Sequence, residues 1–160
     1  MAKYSIREIV EMAIQTEWLG LEFYNQMLGK FAHIPDLNAL FSTLAKMEKN
    51  HVEIFTSLLD KVPAGAVAPE GWDEAEHYFR AVVESEFFLG TEKALPAMAN
   101  MDDPAQAVGF ALQFEKETLL YYIGLEGSLT GAHKGLLNEI IKEEKSHIVW
   151  LSRYKDIHKI

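Results

Sequence analysis

Two short motifs carry most of the chemistry in this chain. Glu48-Lys-Asn-His51 and Glu144-Lys-Ser-His147 each set a carboxylate and an imidazole three residues apart, which puts both on one face of a helix. Two further glutamates, Glu17 and Glu115, are each followed seven residues later by a tyrosine, Tyr24 and Tyr122. Carboxylates bind hard cations, bridge two of them and tolerate changes in coordination, while imidazole adds one neutral nitrogen per metal. Four ionised glutamates with two neutral histidines are balanced by two divalent cations. Iron or manganese suits such a donor set, and zinc can also occupy it.

Each of the six residues falls on the apolar stripe of its helix. Glu17 follows Val10 and Ala13 and precedes Tyr24, while Glu48 and His51 continue Leu37, Leu40, Phe41 and Leu44 towards Phe55 and Leu58. Glu115 continues Val108 and Ala111, and Glu144 with His147 continues Leu137, Ile140 and Ile141. Burying unpaired carboxylates is costly, so four of them call for a compensating charge. The competing reading is a plain bundle with buried ion pairs. A single E-x-x-H match is weak, and the chain holds its own control. Glu74-Ala-Glu-His77 also fits, but it opens a connecting segment on the side away from Phe79 and Val82, where a solvated helix start is expected.

The elements that must position these groups are helices. Ser5 and Glu8 predict a capping box at the start of a first helix running to about Lys30, with Ile6, Ile9, Val10, Ala13, Ile14, Leu21, Tyr24 and Leu28 along its stripe. Pro35 breaks the chain before a second helix from about Asp36 to Lys61. The stretch Pro63 to Gly71 is rich in breakers, and Trp72 to about Leu89 is again helical by period. Asp103-Pro104 reads as an N-cap followed by proline at the first helical position. A third long helix then runs to about Glu126 along Val108, Ala111, Leu112, Leu119 and Tyr122. After the turn Gly127 to Gly131, a fourth runs from about His133 to Tyr154. No segment alternates as a strand does, so the expected class is all-α.

The two halves match in register. Glu17 and Glu115 lie 98 residues apart, and Glu48 and Glu144 lie 96 apart. The chain therefore reads as two helical hairpins joined by a long crossover, a four-helix bundle forming one domain over residues 1–160. The glutamates of each hairpin stand roughly 22–24 Å from its turn, at about 1.5 Å per residue. Antiparallel packing brings them level.

Composition narrows the function. With 49% hydrophobic and 24% charged residues the chain is ordinary for a globular protein, and 160 residues suffice for one sizeable core. A net charge of −9 argues against nucleic acid or anionic lipid as partner. The absence of cysteine excludes disulfides, thiolate metal sites, iron–sulfur clusters and a cysteine nucleophile. The charged start of the chain does not read as a signal peptide, and no uncharged run approaches the roughly 20 residues of a membrane span. A cytoplasmic location is the simplest expectation. His33, His77, His133 and His158 are expected at the surface, and Glu84, Glu86 and Glu92 on solvated faces. Trp18, Phe23, Phe87, Phe88, Phe110 and Phe114 are expected in the core or a subunit interface, and the methionines as core filler.

With this set of residues the sequence resembles the rubrerythrin-like branch of the ferritin-like di-iron carboxylate proteins, over nearly its whole length. The resemblance implies that Glu48 and Glu144 bridge two iron ions, that Glu17 and Glu115 are terminal ligands, and that His51 and His147 each bind one ion. It implies that Tyr24 and Tyr122 hydrogen-bond to ligand carboxylates. It further implies an oxidoreductase that meets oxidative stress by reducing hydrogen peroxide or dioxygen, acting as a homodimer. Two departures stand out. Full-length rubrerythrins carry a rubredoxin domain with four cysteines, and this chain has none, so electrons come from a separate donor such as a rubredoxin. Rubrerythrins also carry an extra glutamate one turn past the ligand matching Glu115, where this chain has Thr118. Iron handling by ferroxidase chemistry, a structural metal site, and an oxygenase acting on an organic substrate are the alternatives.

Overall fold

A computed structural model describes residues 5–63, 77, 98, 100–127, 129 and 131–160. Four long helices run through them: α1 (Ile6–Lys30), α2 (Pro35–Lys61), α3 (Pro104–Glu126) and α4 (Gly131–His158). The segment read as helical from Trp72 to Leu89 lies outside the described residues. So do Glu74 of the control motif and Glu84, Glu86, Glu92, Phe87 and Phe88. His77, the other half of that motif, is exposed.

Helix ends follow local chemistry. The Ser5 hydroxyl accepts from the Glu8 amide while the Glu8 carboxylate accepts from the Ser5 amide, completing the expected capping box. Asp103 caps α3 through the Ala105 amide, with Pro104 in the first turn. At the far end of α2, Arg7 donates to the Leu59 and Val62 carbonyls and so places a cation at the negative pole of that helix. The fourth helix is longer than its periodicity predicts. It begins at Gly131, whose φ of 59° favours glycine, and its last turn reaches His158. There His158 lies 2.8 Å from Asp36 of α2 and stacks on Tyr154.

Packing makes the two hairpins α1–α2 and α3–α4, which meet through α2 against α4 and α1 against α3. Every neighbouring pair is antiparallel, so the bundle has an approximate two-fold axis relating the hairpins. Its apolar interior comes in two parts. One holds Phe23, Met27, Phe31, Leu37, Phe41, Leu44, Val108, Ala111 and Phe114. The other holds Ile9, Val10, Ala13, Phe55, Leu58, Tyr121, Leu125, Leu137 and Ile140. A polar layer separates them. The buried face of α1 centres on Gly20, Phe23 and Met27, whereas Ile14, Leu21 and Leu28 of the predicted stripe are only half-buried. Phe23 and Phe114 are core residues, but Trp18 is 55% exposed and is not one. Among the described residues no helix is long and apolar enough to cross a membrane.

Gly20 marks the tightest approach between α1 and its neighbours. A Cβ there would lie 3.0 Å from the Phe114 ring edge and 3.1 Å from Glu48 Oε2, both held in the interior. Gly109, within α3, has nothing within 4 Å of the same position. Adding a methyl group removes the flexibility cost of glycine, about 0.5–1 kcal/mol in a helix, but crowding a packed interior costs about 1–3 kcal/mol. Gly109→Ala is therefore expected to stabilise the fold and Gly20→Ala to weaken it by about 1 kcal/mol, as measured by urea unfolding. Equal gains from both would mean that the Gly20 contact yields freely.

Candidate metal centre

The polar layer consists of the six residues that the sequence singles out. Glu17, Glu48, His51, Glu115, Glu144 and His147 come from all four helices, and none is more than 1% exposed. They reach one another because antiparallel packing sets Glu17 level with Glu48 and Glu115 level with Glu144, and each helical stripe turns its polar members inward. Potential ligand atoms fall into two compact groups. One comprises Glu17, Glu48, His51 and Glu144, the other Glu48, Glu115, Glu144 and His147, with the atoms of each group within 4.8 Å of one another. Glu48 and Glu144 belong to both.

Both imidazoles turn Nδ1 towards the carboxylates. His51 Nδ1 lies 3.3 Å from Glu17 Oε2 and 2.9 Å from Glu144 Oε1. His147 Nδ1 lies 3.3 Å from Glu115 Oε2, 3.2 Å from Glu48 Oε1 and 3.3 Å from Glu144 Oε2. Glu144 thus offers one oxygen to each histidine, the disposition of a carboxylate that spans two ions. The close contacts of Glu48 Oε1 and of both Glu144 oxygens lack hydrogen-bond alignment, so among the described residues these buried atoms have no hydrogen-bond partner. Unsatisfied oxygens are costly in a dry interior unless something else binds them. Their number, their oxygen and nitrogen chemistry and their sharing between two groups fit a pair of divalent cations.

Two tyrosines brace the glutamates. Tyr24 donates to Glu115 and Tyr122 donates to Glu17, as the resemblance implies, and the pairing crosses from one hairpin to the other. Burial, and then the charge of the glutamate each one serves, pushes both phenols well above their usual range, so they stay protonated donors. Thr118 lies one turn from Glu115 on the same inner face. Thr16, Thr43 and Thr56 return their hydroxyls to carbonyls four residues back, but the hydroxyl of buried Thr118 has no hydrogen-bond partner among the described residues.

Nothing in the residue pattern singles out Glu143. Its carboxylate lies 2.8 Å from His51 Nε2, on the ring side away from Glu17 and Glu144. A lone glutamate beside a motif glutamate looks like a solvated charge, and only the crossing of α2 and α4 identifies its partner. Of the other histidines, His33 and His158 are exposed and His133 is half-buried.

Electrostatics divides the glutamates into two kinds. Burial, followed by the Glu17 and Glu115 charges, holds the Glu48 carboxyl well above the usual range. Burial and the same two charges bring Glu144 up to about 7. Burial also opposes ionisation of Glu17 and Glu115, but Glu17 is held low by Glu48, His51 and Tyr122, and Glu115 by His147, Glu144 and Tyr24. Burial disfavours both imidazolium ions, yet the surrounding carboxylates outweigh it, raising His51 to about 12 and His147 as well. Without metal and below about pH 7, two imidazolium ions balance two carboxylates while Glu48 and Glu144 hold protons.

Metal uptake must displace those protons. Two divalent ions are expected to release more protons below pH 6 than above pH 8, where Glu144 is already ionised. Calorimetry in buffers of different ionisation enthalpy counts them. The sign for stability follows from the raised values. Glu48, Glu144, His51 and His147 all bind a proton more tightly when folded, so each contributes its full stabilisation below its unfolded value and loses it progressively as pH climbs from there to its folded value. The melting temperature of the metal-free protein should therefore fall between pH 5 and pH 8, and a rise would contradict this charge pattern.

A family model described as Rubrerythrin matches residues 8–155. A solved structure described as a ferritin-like diiron-carboxylate protein, from Thermotoga maritima, aligns with a TM-score of 0.71 at 22% identity, covering 98% of this chain and 97% of that one. That likeness carries the fold. No curated protein matches the chain. With the family model matched over almost its full length, and with a glutamate–histidine cluster that forms a candidate binuclear site inside a ferritin-like bundle, the chain belongs to the rubrerythrin family.

Proposed function

We propose that the chain is a non-haem di-iron oxidoreductase that reduces hydrogen peroxide or dioxygen with electrons from a separate donor protein. The observation that carries this reading is the pair of buried ligand groups sharing Glu48 and Glu144. Two iron ions would supply two one-electron couples, matching the two electrons and two protons that convert hydrogen peroxide into two waters. Glu17 with His51 would hold one ion and Glu115 with His147 the other, and Glu48 and Glu144 would be shared between them. Tyr24 and Tyr122 would fix the terminal carboxylates through their hydroxyl groups, and the apolar layers on either side would keep bulk water out.

The sequence has no cysteine with which to hold a rubredoxin-type iron, so the donor is taken to be a separate protein such as a rubredoxin. The same reading takes the protein to be a cytoplasmic homodimer, with exposed Trp18 as an interface candidate. Thr118 favours a second reading. A neutral hydroxyl at the place of the extra rubrerythrin glutamate leaves four carboxylates for two ions, which suits ferroxidase chemistry in iron handling equally well.

Stopped-flow mixing of the Fe(II)-loaded protein with peroxide and with dioxygen separates the two. Oxidation by peroxide at least about tenfold faster than by dioxygen is expected from the peroxidase reading. Preference for dioxygen points to ferroxidase, and oxidation no faster than that of free Fe(II) rejects both. Glu48→Ala, which removes a shared ligand, is expected to lower the bound iron from two ions per chain to one or fewer. Unchanged iron content would show that Glu48 is not a ligand.

A further inference from the structure

The two-fold repeat of the bundle relates His51 to His147 and Glu48 to Glu144. It therefore relates Glu143, which precedes Glu144, to Met47, which precedes Glu48. Here the symmetry fails. His51 Nε2 lies 2.8 Å from the Glu143 carboxylate, whereas His147 Nε2 is buried and has no hydrogen-bond partner among the described residues. Among the described residues, His147 stacks on His51 and lies beside Trp150, with centroids 5.7 Å and 6.0 Å away.

A histidine that binds metal through Nδ1 must carry its remaining proton on Nε2. At His51 that N–H donates to a carboxylate, which fixes the tautomer, orients the ring and makes Nδ1 more basic. At His147 the same tautomer leaves a buried donor without a partner among the described residues. We infer that the two metal positions are unequal, that the Glu17–His51 position binds its ion more tightly, and that Glu143 is the positioning residue responsible. The inference rests on the metal-centre reading above. It implies an order of loading: the first ion occupies the His51 end and the second the His147 end.

Repulsion between two bound cations also separates two binding steps, so two steps alone do not decide the matter. The diagnostic is which step each variant moves. The probe is Co(II), titrated anaerobically into the metal-free full chain and followed by visible absorption and calorimetry. Glu143 is 40% exposed, so its replacement should leave folding intact, which thermal melting of the metal-free protein checks. Glu143→Ala is expected to weaken the tight step by about 10–100-fold while leaving the weaker step within about threefold. Glu143→Gln retains an acceptor oxygen and should give a smaller loss. Met47→Glu, which offers His147 the missing carboxylate, is expected to tighten the weaker step.

A tight step unchanged by Glu143→Ala, or both steps weakened alike, overturns the inference. A weak step unaffected by Met47→Glu overturns the assignment of His147 as the unsupported ligand. If wild-type protein binds no Co(II) at all, the metal centre itself is refuted and this inference with it. That failure is distinct, because it precedes any comparison of variants.

Discussion

Four carboxylates in the dry middle of a helical bundle are the constraint on which the rest of the structure depends. An isolated buried charge is far costlier than the net stability of a domain this size can absorb. Each glutamate must therefore find a proton, a counter-charge or a donor. The metal-free arrangement uses all three: imidazolium partners and tyrosine donors for Glu17 and Glu115, and protons for Glu48 and Glu144. Two divalent cations replace those protons without a change in net charge. Selection for stability alone would favour hydrophobic residues at these positions, because well-packed apolar substitutes commonly equal or exceed buried ion pairs.

The same constraint explains the placement of the aromatic residues. Tyr24 and Tyr122 each span the α1–α3 boundary to reach the opposite hairpin's glutamate, so the hydrogen bonds that orient the site also hold the hairpins in register. Tyr121, next to Tyr122 on α3, donates to the Ile9 carbonyl at 2.6 Å and adds a third tie across that boundary. Gly20 lets α1 approach Phe114 and Glu48 closely enough for these bonds to form. Ligand geometry and hairpin docking are thus one problem with one solution, and a shift in either is felt in the other.

Much of this was legible in the sequence because the chemistry is periodic. The capping box at Ser5, the Asp103-Pro104 start and the proline before α2 are local signals, and the helices begin within a residue or two of them. The six residues that meet in the buried polar layer could be grouped because polar groups on an apolar stripe are conspicuous and because the repeat supplied their pairing. What escaped depended on distance in space. Large and apolar, Trp18 fitted core and interface equally well in sequence, and only the outward turn of its side of α1 removes the core reading. The extension of α4 to His158 depends on contacts with Asp36 and Tyr154, which periodicity does not report. Glu143 was indistinguishable from a surface charge until α2 was laid beside α4.

An internal repeat starts from equal halves, and departures from equality show where the two metal positions can come to differ. The carboxylates, imidazoles and tyrosines remain paired across the axis. The differences gather in the shell around them: Glu143 against Met47, and Thr118 in a helix whose counterpart places Gly20 near the same layer. On the proposed function, a centre that delivers two electrons to one small oxidant would not need two identical ions. Ions with different affinities can be loaded, oxidised or released in sequence. Changing the outer partner of one histidine alters one ion while the shared glutamates keep both in a single centre. Outer residues are therefore where such a bundle can be tuned without dismantling the charge balance that permits the site at all.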